Sequence, residues 1–245
     1  MLLGLLISAQ TVSAQDSSGS KQEVWPEANL FYRINDKFRV FALYSTTKLK
    51  NSSYTDGGTG IYLDYFTLPW LRRKWSEKPM DSTTKGYYLW LRVGYAHSST
   101  RKDAVDPYEE STLVTEANLR FHLPYSILLT NKNRVDFRFV DGDFTPRYRI
   151  KATFEKDMRT DYLQFTPYIY GEYFLDFTNS SGNKSRLCGG AELRVAKHMN
   201  FETYILYQFR DAGNVQDLTA VGIVLKFYLD HRQIKQRFSK KERTD

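Results

Sequence analysis

The chain has 245 residues, a net charge of +7 and a mean hydropathy of -0.53, and its length suits one large domain or two small ones. No internal stretch reaches the roughly 18–20 apolar residues that a membrane helix needs, so a bundle of membrane helices is excluded. The single cysteine, Cys188, excludes an intramolecular disulfide and a metal site of several cysteines, and the four histidines fit no metal spacing.

The N-terminal residues 1–14 read MLLGLLISAQTVSA, an apolar run that ends in small residues before Gln15. This pattern is typical of a secretory signal peptide, with a short buried strand or helix as the alternative. We expect residues 15–24, which are mostly polar, to form a flexible mature N-terminus.

From Trp25 onward, alternation of apolar and polar residues recurs in segments of about ten residues bounded by turn residues, which predicts strands. About eleven strands are expected within residues 25–230, with 10–12 as the range. The predicted strands are Ala28–Ile34, Phe38–Ser45, Thr59–Phe66, Tyr87–His97, Thr112–Leu123, Ile127–Val140, Thr145–Lys156, Leu163–Phe177, Ser185–Ala196, Phe201–Arg210 and Leu218–Leu229.

Two segments do not follow the strand pattern. Residues 68–78 read LPWLRRKWSEK and are open to two interpretations, a short amphipathic helix at the membrane interface or an irregular polar loop. Residues 231–245 form a basic tail, for which a solvated end is favoured over a surface that binds anionic lipid or nucleic acid. For the protein as a whole we expect no nucleic-acid partner.

The polar face of the predicted strands is dominated by long charged side chains of both signs. Alternation alone fits both a soluble sheet and a membrane barrel, but paired Arg and Glu or Asp suit a partly buried lumen better than a solvated face. The strand after Asn35 fits least well, because Phe41 and Leu43 share a face with Arg39. The charged residues predicted to line the lumen are Arg92, Glu116, Arg120, Arg134, Asp136, Arg138, Arg147, Arg149, Lys151, Glu155, Glu172, Arg186, Glu192, Arg194, Glu202 and Arg210.

Aromatic residues and loop lengths favour the same fold. Tyr and Phe lie near many strand ends, as aromatic girdles at the two membrane interfaces require, with core aromatics as the alternative. These residues are Phe31, Tyr44, Tyr65, Tyr87, Tyr95, Phe121, Phe165, Phe177, Phe201, Phe209 and Phe227. Short turns alternate with longer loops, although residues 67–86 break the trend. We therefore predict an all-β fold, an up-and-down transmembrane antiparallel β-barrel of about 10–12 strands.

Several segments resemble the bacterial family called domain of unknown function 2490. They are WPEANLFYRINDKFRVF from Trp25, YLWLRVGY from Tyr88, NRVDFRFVDGDFTPRYRIKATFE from Asn133 and TPYIYGEYF from Thr166. The resemblance runs from Trp25 to about Leu229. It implies an outer-membrane β-barrel of a Gram-negative bacterium and no established activity.

The last predicted strand, TAVGIVLKFYL, is similar to the C-terminal signal that the barrel-assembly machinery reads. Gly222, Leu225 and Phe227 match the spacing of that signal, whereas Ala220 stands where a polar residue is usual. This resemblance implies that the assembly machinery is a partner during biogenesis, alongside outer-membrane lipid.

The sequence contains no motif that assigns catalysis, a cofactor or a metal. His97 with Ser98 and Ser99 lies at a strand end, but no acidic partner is identifiable from the sequence, so a plain loop histidine is favoured. We expect a structural role or a pore role for small, preferably anionic solutes, and no enzyme activity. The alternatives are an outer-membrane lipid-modifying hydrolase and a soluble periplasmic β-barrel that binds a ligand.

The face assignment predicts that Phe137→Arg impairs membrane assembly more than Arg138→Gln does. An arginine on the lipid side of a barrel costs about 2–4 kcal/mol near the bilayer centre, whereas a lumen position tolerates a polar exchange. The measurement is the amount of heat-modifiable protein in the outer-membrane fraction. Equal loss in both variants would mean that the faces are reversed, and recovery of the wild-type chain in the soluble fraction would favour the soluble alternative.

Overall fold

A computed structural model describes residues 21–49, 55–69, 86–100, 107–178, 183–210 and 217–231. The predicted signal peptide, most of the 68–78 segment and the basic tail beyond His231 lie outside the described residues. No helix in the described ranges is long and apolar enough to cross a membrane.

The described residues form thirteen strands, of which eleven are long. The strands are β1 (Lys21–Arg33), β2 (Phe38–Leu49), β3 (Thr55–Pro69), β4 (Tyr87–Ser99), β5 (Glu109–Leu123), β6 (Ile127–Val140), β7 (Asp143–Phe144), β8 (Arg147–Lys156), β9 (Met158–Arg159), β10 (Gln164–Asp176), β11 (Lys184–Ala196), β12 (Met199–Arg210) and β13 (Leu218–Asp230). β7 and β9 are two-residue strands that extend hairpins. The predicted all-β fold and the strand count are confirmed.

Short turns with specific side-chain chemistry connect several of these strands. The side-chain oxygen of Asn35 accepts hydrogen bonds from the backbone N–H groups of Lys37 at 2.8 Å and Phe38 at 2.9 Å, which closes the β1–β2 turn. Between β6 and β7, Asp141 and Gly142 have φ values of 51° and 94°, which Asp and Gly tolerate better than most residues. The local sequence therefore fixes where these hairpins reverse.

The sheet closes on itself through a parallel pair of strands. Consecutive long strands pair antiparallel, and β10 pairs with both β8 and β11. The first and last strands then pair parallel, in a register that runs from Lys21–Leu218 to Arg33–Asp230. The prediction of an entirely antiparallel barrel is wrong at this one seam, because an odd number of alternating strands leaves the first and last running in the same direction.

The two ends of the barrel can be named by the strands that begin or end there. The N-rim is the end at which β1 begins at Lys21, and the C-rim is the end at which β13 finishes at Asp230. β1 begins four residues before the predicted barrel start at Trp25, so residues 21–24 belong to a paired strand and not to a flexible terminus.

Side chains alternate strictly between the two faces of the closed sheet. The outward set is apolar and exposed, as for Phe137 at 36%, Ile150 at 39% and Ile61 at 60%, whereas Asp64 and Asp136 on the inward face are fully buried. Most predicted girdle aromatics lie outward, but Phe31 lies inward, stacked on Phe41 with ring centroids 4.7 Å apart. An apolar belt outside and charge inside is the arrangement of a transmembrane barrel.

The inner packing leaves no room for a side chain at Gly222. This residue lies on β13 next to the parallel seam, paired with Trp25, and a Cβ built there would lie 1.9 Å from the Tyr204 ring. The aromatic ring of Tyr204 thus occupies the space that a side chain would need. Glycine is required here by packing.

Gly222→Ala should destabilise the barrel by about 1–3 kcal/mol, the usual effect of overpacking, since a rigid ring must move. Gly189→Ala is the matched control, because its added Cβ would meet nothing closer than 4.0 Å. The measurement is the urea midpoint of the folded, heat-modifiable band in detergent. Equal midpoints for the two variants would contradict the packing role of Tyr204.

Candidate functional site: the charged lumen

A belt of shared ion pairs crosses the middle of the lumen. Asp64, which is fully buried, accepts from Arg39 at 2.8 Å and from Arg92 at 2.6 Å. Both arginines come from the strands next to β3, one on each side, because Asp64 is paired with Arg39 and with Arg92 in the register. One carboxylate therefore holds two cations across three strands.

A second part of the belt is built around Asp136 and Glu172. Asp136 is ion-paired with Arg134, with Arg147 at 2.9 Å and with Arg149 at 3.8 Å. Arg149 also donates to Glu172 at 2.6 Å, and Glu172 lies 3.9 Å from Arg186. Arg149 thus joins the two carboxylates into one network.

Cations outnumber carboxylates in this belt. Within the described part of the chain, the carboxylates Asp64, Glu116, Asp136 and Glu172 pair with the cations Arg39, Arg92, Lys132, Arg134, Arg147, Arg149 and Arg186. Asp64, Asp136 and Glu172 are each shared between two or more arginines, whose planar guanidinium groups suit carboxylate oxygens.

Aromatic rings stabilise the surplus positive charge. The Arg92 guanidinium lies 4.4 Å from the Phe41 ring centroid and 4.9 Å from that of Trp90. Phe174, which is 1% exposed, is surrounded by Arg147, Arg149, Lys184 and Arg186 at 4.5–5.4 Å from its ring. Desolvated cation–π contacts contribute about 2 kcal/mol each, so the aromatic residues are part of the charge network.

Several inward side chains in the N-rim half of the lumen are fully buried. Val114, Ala220, Leu206 and Gln208 on the inward face are at most 2% exposed, and they lie towards the N-rim ends of β5, β12 and β13. Inward side chains of these three strands are therefore closely packed on this side of the belt.

The C-rim half contains a cavity of about 280 Å³. Among its described lining side chains are the cations Arg39, Arg92, Arg120, Lys132, Lys151 and Lys226, and the carboxylates Glu155, Glu192 and Glu202. The cavity also exposes the ring of Trp90, whose indole N–H has no hydrogen-bond acceptor in the described part of the protein.

Glu192 and Glu202 share one cation on the cavity wall. Lys226 donates to both Glu192 and Glu202, and the Tyr168 hydroxyl donates to Glu202. Lys151, by contrast, lies with its ammonium 3.3 Å from the Tyr170 ring centroid. The wall formed by β4, β5, β6 and β8 thus carries most of the cations, whereas on the wall formed by β11, β12 and β13 two carboxylates surround the single ammonium of Lys226.

Most of the predicted lumen residues lie on the inward register, and two require separate comment. Arg194 keeps the inward register, paired with the buried Asn200, but its side chain is exposed at the C-rim and donates to Gln164 at 3.4 Å. The side chain of Arg210 lies outside the described ones.

The alternation rule also missed members of the site. Lys132 and Arg39 belong to the belt although neither was predicted, and Trp90 and Phe174 lie inward although apolar residues were expected to face lipid. Lys132, Trp90 and Phe174 are each two residues from a predicted lumen residue on the same strand, namely Arg134, Arg92 and Glu172. This spacing was the signal in the sequence that they face the lumen. In the described ranges, no three His, Cys, Asp or Glu side chains come together as metal ligands.

The fold and the lumen together define a closed β-barrel of the outer-membrane type. A family model described as protein of unknown function (DUF2490) matches residues 83–219, more than half of the chain. The chain belongs to this family, as its sequence segments predicted.

Two solved structures are similar in fold. LpxR from Salmonella typhimurium superposes with a TM-score of 0.52 at 8% identity, covering 78% of this chain and 83% of that one. The beta domain of the Bordetella autotransporter Brka gives a TM-score of 0.45 at 15% identity, with 76% and 81% covered. The comparison with curated protein sequences finds no match. At these identities the likeness concerns the fold alone.

Asp136→Asn should lower the free energy of unfolding by about 3–5 kcal/mol, because it leaves three buried arginines without their shared carboxylate. Asp143→Asn removes the same charge at an exposed position on β7 and is expected to change stability by less than about 0.5 kcal/mol. Urea unfolding of the folded protein in detergent measures both. An Asp136 variant as stable as the control would show that the arginines are neutralised by other groups.

Proposed function

We propose that this protein resides in the outer membrane of a Gram-negative bacterium as a closed barrel, and that its C-rim cavity binds a small anionic solute. The outward apolar belt and the likeness in fold to LpxR support the membrane placement. The cavity lies on one side of the ion-pair belt only, which favours a binding site with one entrance over a continuous pore.

The charge of the cavity wall is the observation that carries the proposal. Six cations face three carboxylates, and two of those carboxylates share Lys226. Lys151, whose ammonium lies over the Tyr170 ring, lines the cavity and can donate to an acceptor of a ligand. A phosphate or carboxylate group is the acceptor that several converging N–H donors select.

The size and lining of the cavity narrow the ligand further. At about 280 Å³ it lies near the lower limit of small-molecule pockets. The rings of Phe31, Trp90, Tyr170 and Tyr228 provide apolar faces beside the charges. A small phosphorylated or carboxylated compound with a compact carbon skeleton fits this combination.

Glucose 6-phosphate is a suitable probe, with glucose as the neutral control. We expect calorimetric binding of the phosphate ester and no binding of glucose to the folded protein in detergent. Lys151→Gln should weaken binding about ten- to a hundredfold, because one charged hydrogen bond contributes about 1.5–3 kcal/mol. Lys184→Gln is the matched control: Lys184 lies beside Phe174, away from the cavity. Unchanged affinity in Lys151→Gln would rule out the cavity as the binding site.

Conductance measurements on the protein in planar lipid bilayers test whether the lumen is closed. We expect no steady single-channel conductance from the wild-type chain, since the N-rim half is packed. Steady, anion-selective steps would replace the proposed binding role with a pore role.

A further inference from the structure

A second polar cluster lies on the opposite, lipid-facing side of the wall, near the N-rim. Its members are Tyr95 and His97 on β4 and Glu109 and Ser111 on β5. His97 and Ser111 are directly paired across the two strands. From the sequence, His97 was considered together with Ser98 and Ser99, and no acidic partner was identifiable. In the structure, His97 lies beside Ser111 and Glu109.

The hydrogen bonds in this cluster orient the Ser111 hydroxyl. Tyr95 donates its hydroxyl proton to Ser111 Oγ at 2.8 Å, so the serine's own proton is free to be donated elsewhere. His97 Nδ1 lies 3.4 Å from that oxygen, and His97 Nε2 lies 3.9 Å from Glu109 Oε1. With Nδ1 as the acceptor, Nε2 carries the ring proton and faces the carboxylate.

A hydroxyl, an imidazole and a carboxylate in this order form the arrangement that activates a serine nucleophile. The imidazole takes the hydroxyl proton, and the carboxylate stabilises the imidazolium that results. The distances are longer than tight hydrogen bonds, as is common before a substrate is bound. The Tyr95 phenol is a hydrogen-bond donor next to the reacting oxygen.

The surroundings of Ser111 indicate the substrate class. On β6 it is paired with Phe139, and the next outward residue on β5 is Leu113, whose cross-strand partner is Phe137. These three side chains are 36–49% exposed on the apolar belt. The hydroxyl therefore lies at the boundary between the lipid-facing wall and the polar N-rim, which is the depth of the acyl ester groups in a membrane lipid.

We propose that Ser111, His97 and Glu109 form a hydrolytic site for acyl esters of membrane lipids. Ser111 Oγ attacks the ester carbonyl carbon as its proton passes to His97. The bond from the carbonyl carbon to the alkoxy oxygen then breaks, and the leaving alcohol takes that proton. Water attacks the acyl-Ser111 ester through the same base and releases a fatty acid with the serine regenerated. The site is on the outer face, so it is independent of the lumen cavity.

The experiment uses the folded full-length protein in mixed micelles with two substrates, a diacyl phosphatidylethanolamine and an O-acylated glucosamine lipid. These distinguish a phospholipid from an acylated saccharide as the source of the ester. We expect fatty-acid release from at least one, and covalent labelling of Ser111 by a fluorophosphonate. Ser111→Ala should abolish labelling and lower release at least about a hundredfold.

Ser98→Ala is the matched control, because Ser98 neighbours His97 in sequence but lies on the inward register of β4. It should keep wild-type release and labelling. Glu109→Gln should lower kcat about ten- to a hundredfold with KM unchanged, which a merely structural role of an exposed carboxylate would not produce. Heat-modifiable mobility verifies that every variant is folded.

The absence of both fatty-acid release and labelling in the folded wild-type protein would overturn the proposal. Wild-type activity in Ser111→Ala would do the same. Neither result bears on the anion-binding cavity, whose test depends on Lys151.

Discussion

The sharing of few carboxylates among many arginines is the interaction on which the interior of this barrel depends. A buried guanidinium without a counter-charge costs several kcal/mol, and in this belt four carboxylates serve seven cations. Arg149 bridges Asp136 and Glu172, so the loss of one carboxylate affects strands on both sides of β8. The aromatic rings of Phe174 and Trp90 add cation–π contacts to arginines that share their carboxylates with other cations.

This belt also separates the two halves of the lumen. Towards the N-rim the inward residues include the buried Val114, Leu206 and Ala220 and the ion pairs of Arg138, whereas towards the C-rim charged side chains line the cavity on two walls. The cavity therefore lies on the C-rim side of the belt. The proposed anion site is therefore a consequence of where the surplus cations lie, and the proposed hydrolytic site on the outer wall makes no use of it.

Strand position, strand type and the inward assignment of most charged residues were predictable from the sequence, because a period of two is imposed by the backbone. The β6 bounds, Ile127–Val140, agree with the prediction at both ends. Residue type alone could not show that Phe31 and Trp90 lie inside, because an aromatic residue suits both lipid and a dry lumen. It also could not anticipate that the Arg194 side chain is exposed at the C-rim although it keeps the inward register.

The sequence by itself determined the wall: alternating residues, turn chemistry at Asn35 and Gly142, and a charged inner face. Only the tertiary structure decided which residues meet. The parallel seam, the partners of each arginine and the approach of His97 to Ser111 all depend on cross-strand register. Register is set by the closure of the whole sheet, since a shift at one strand must be matched around the barrel.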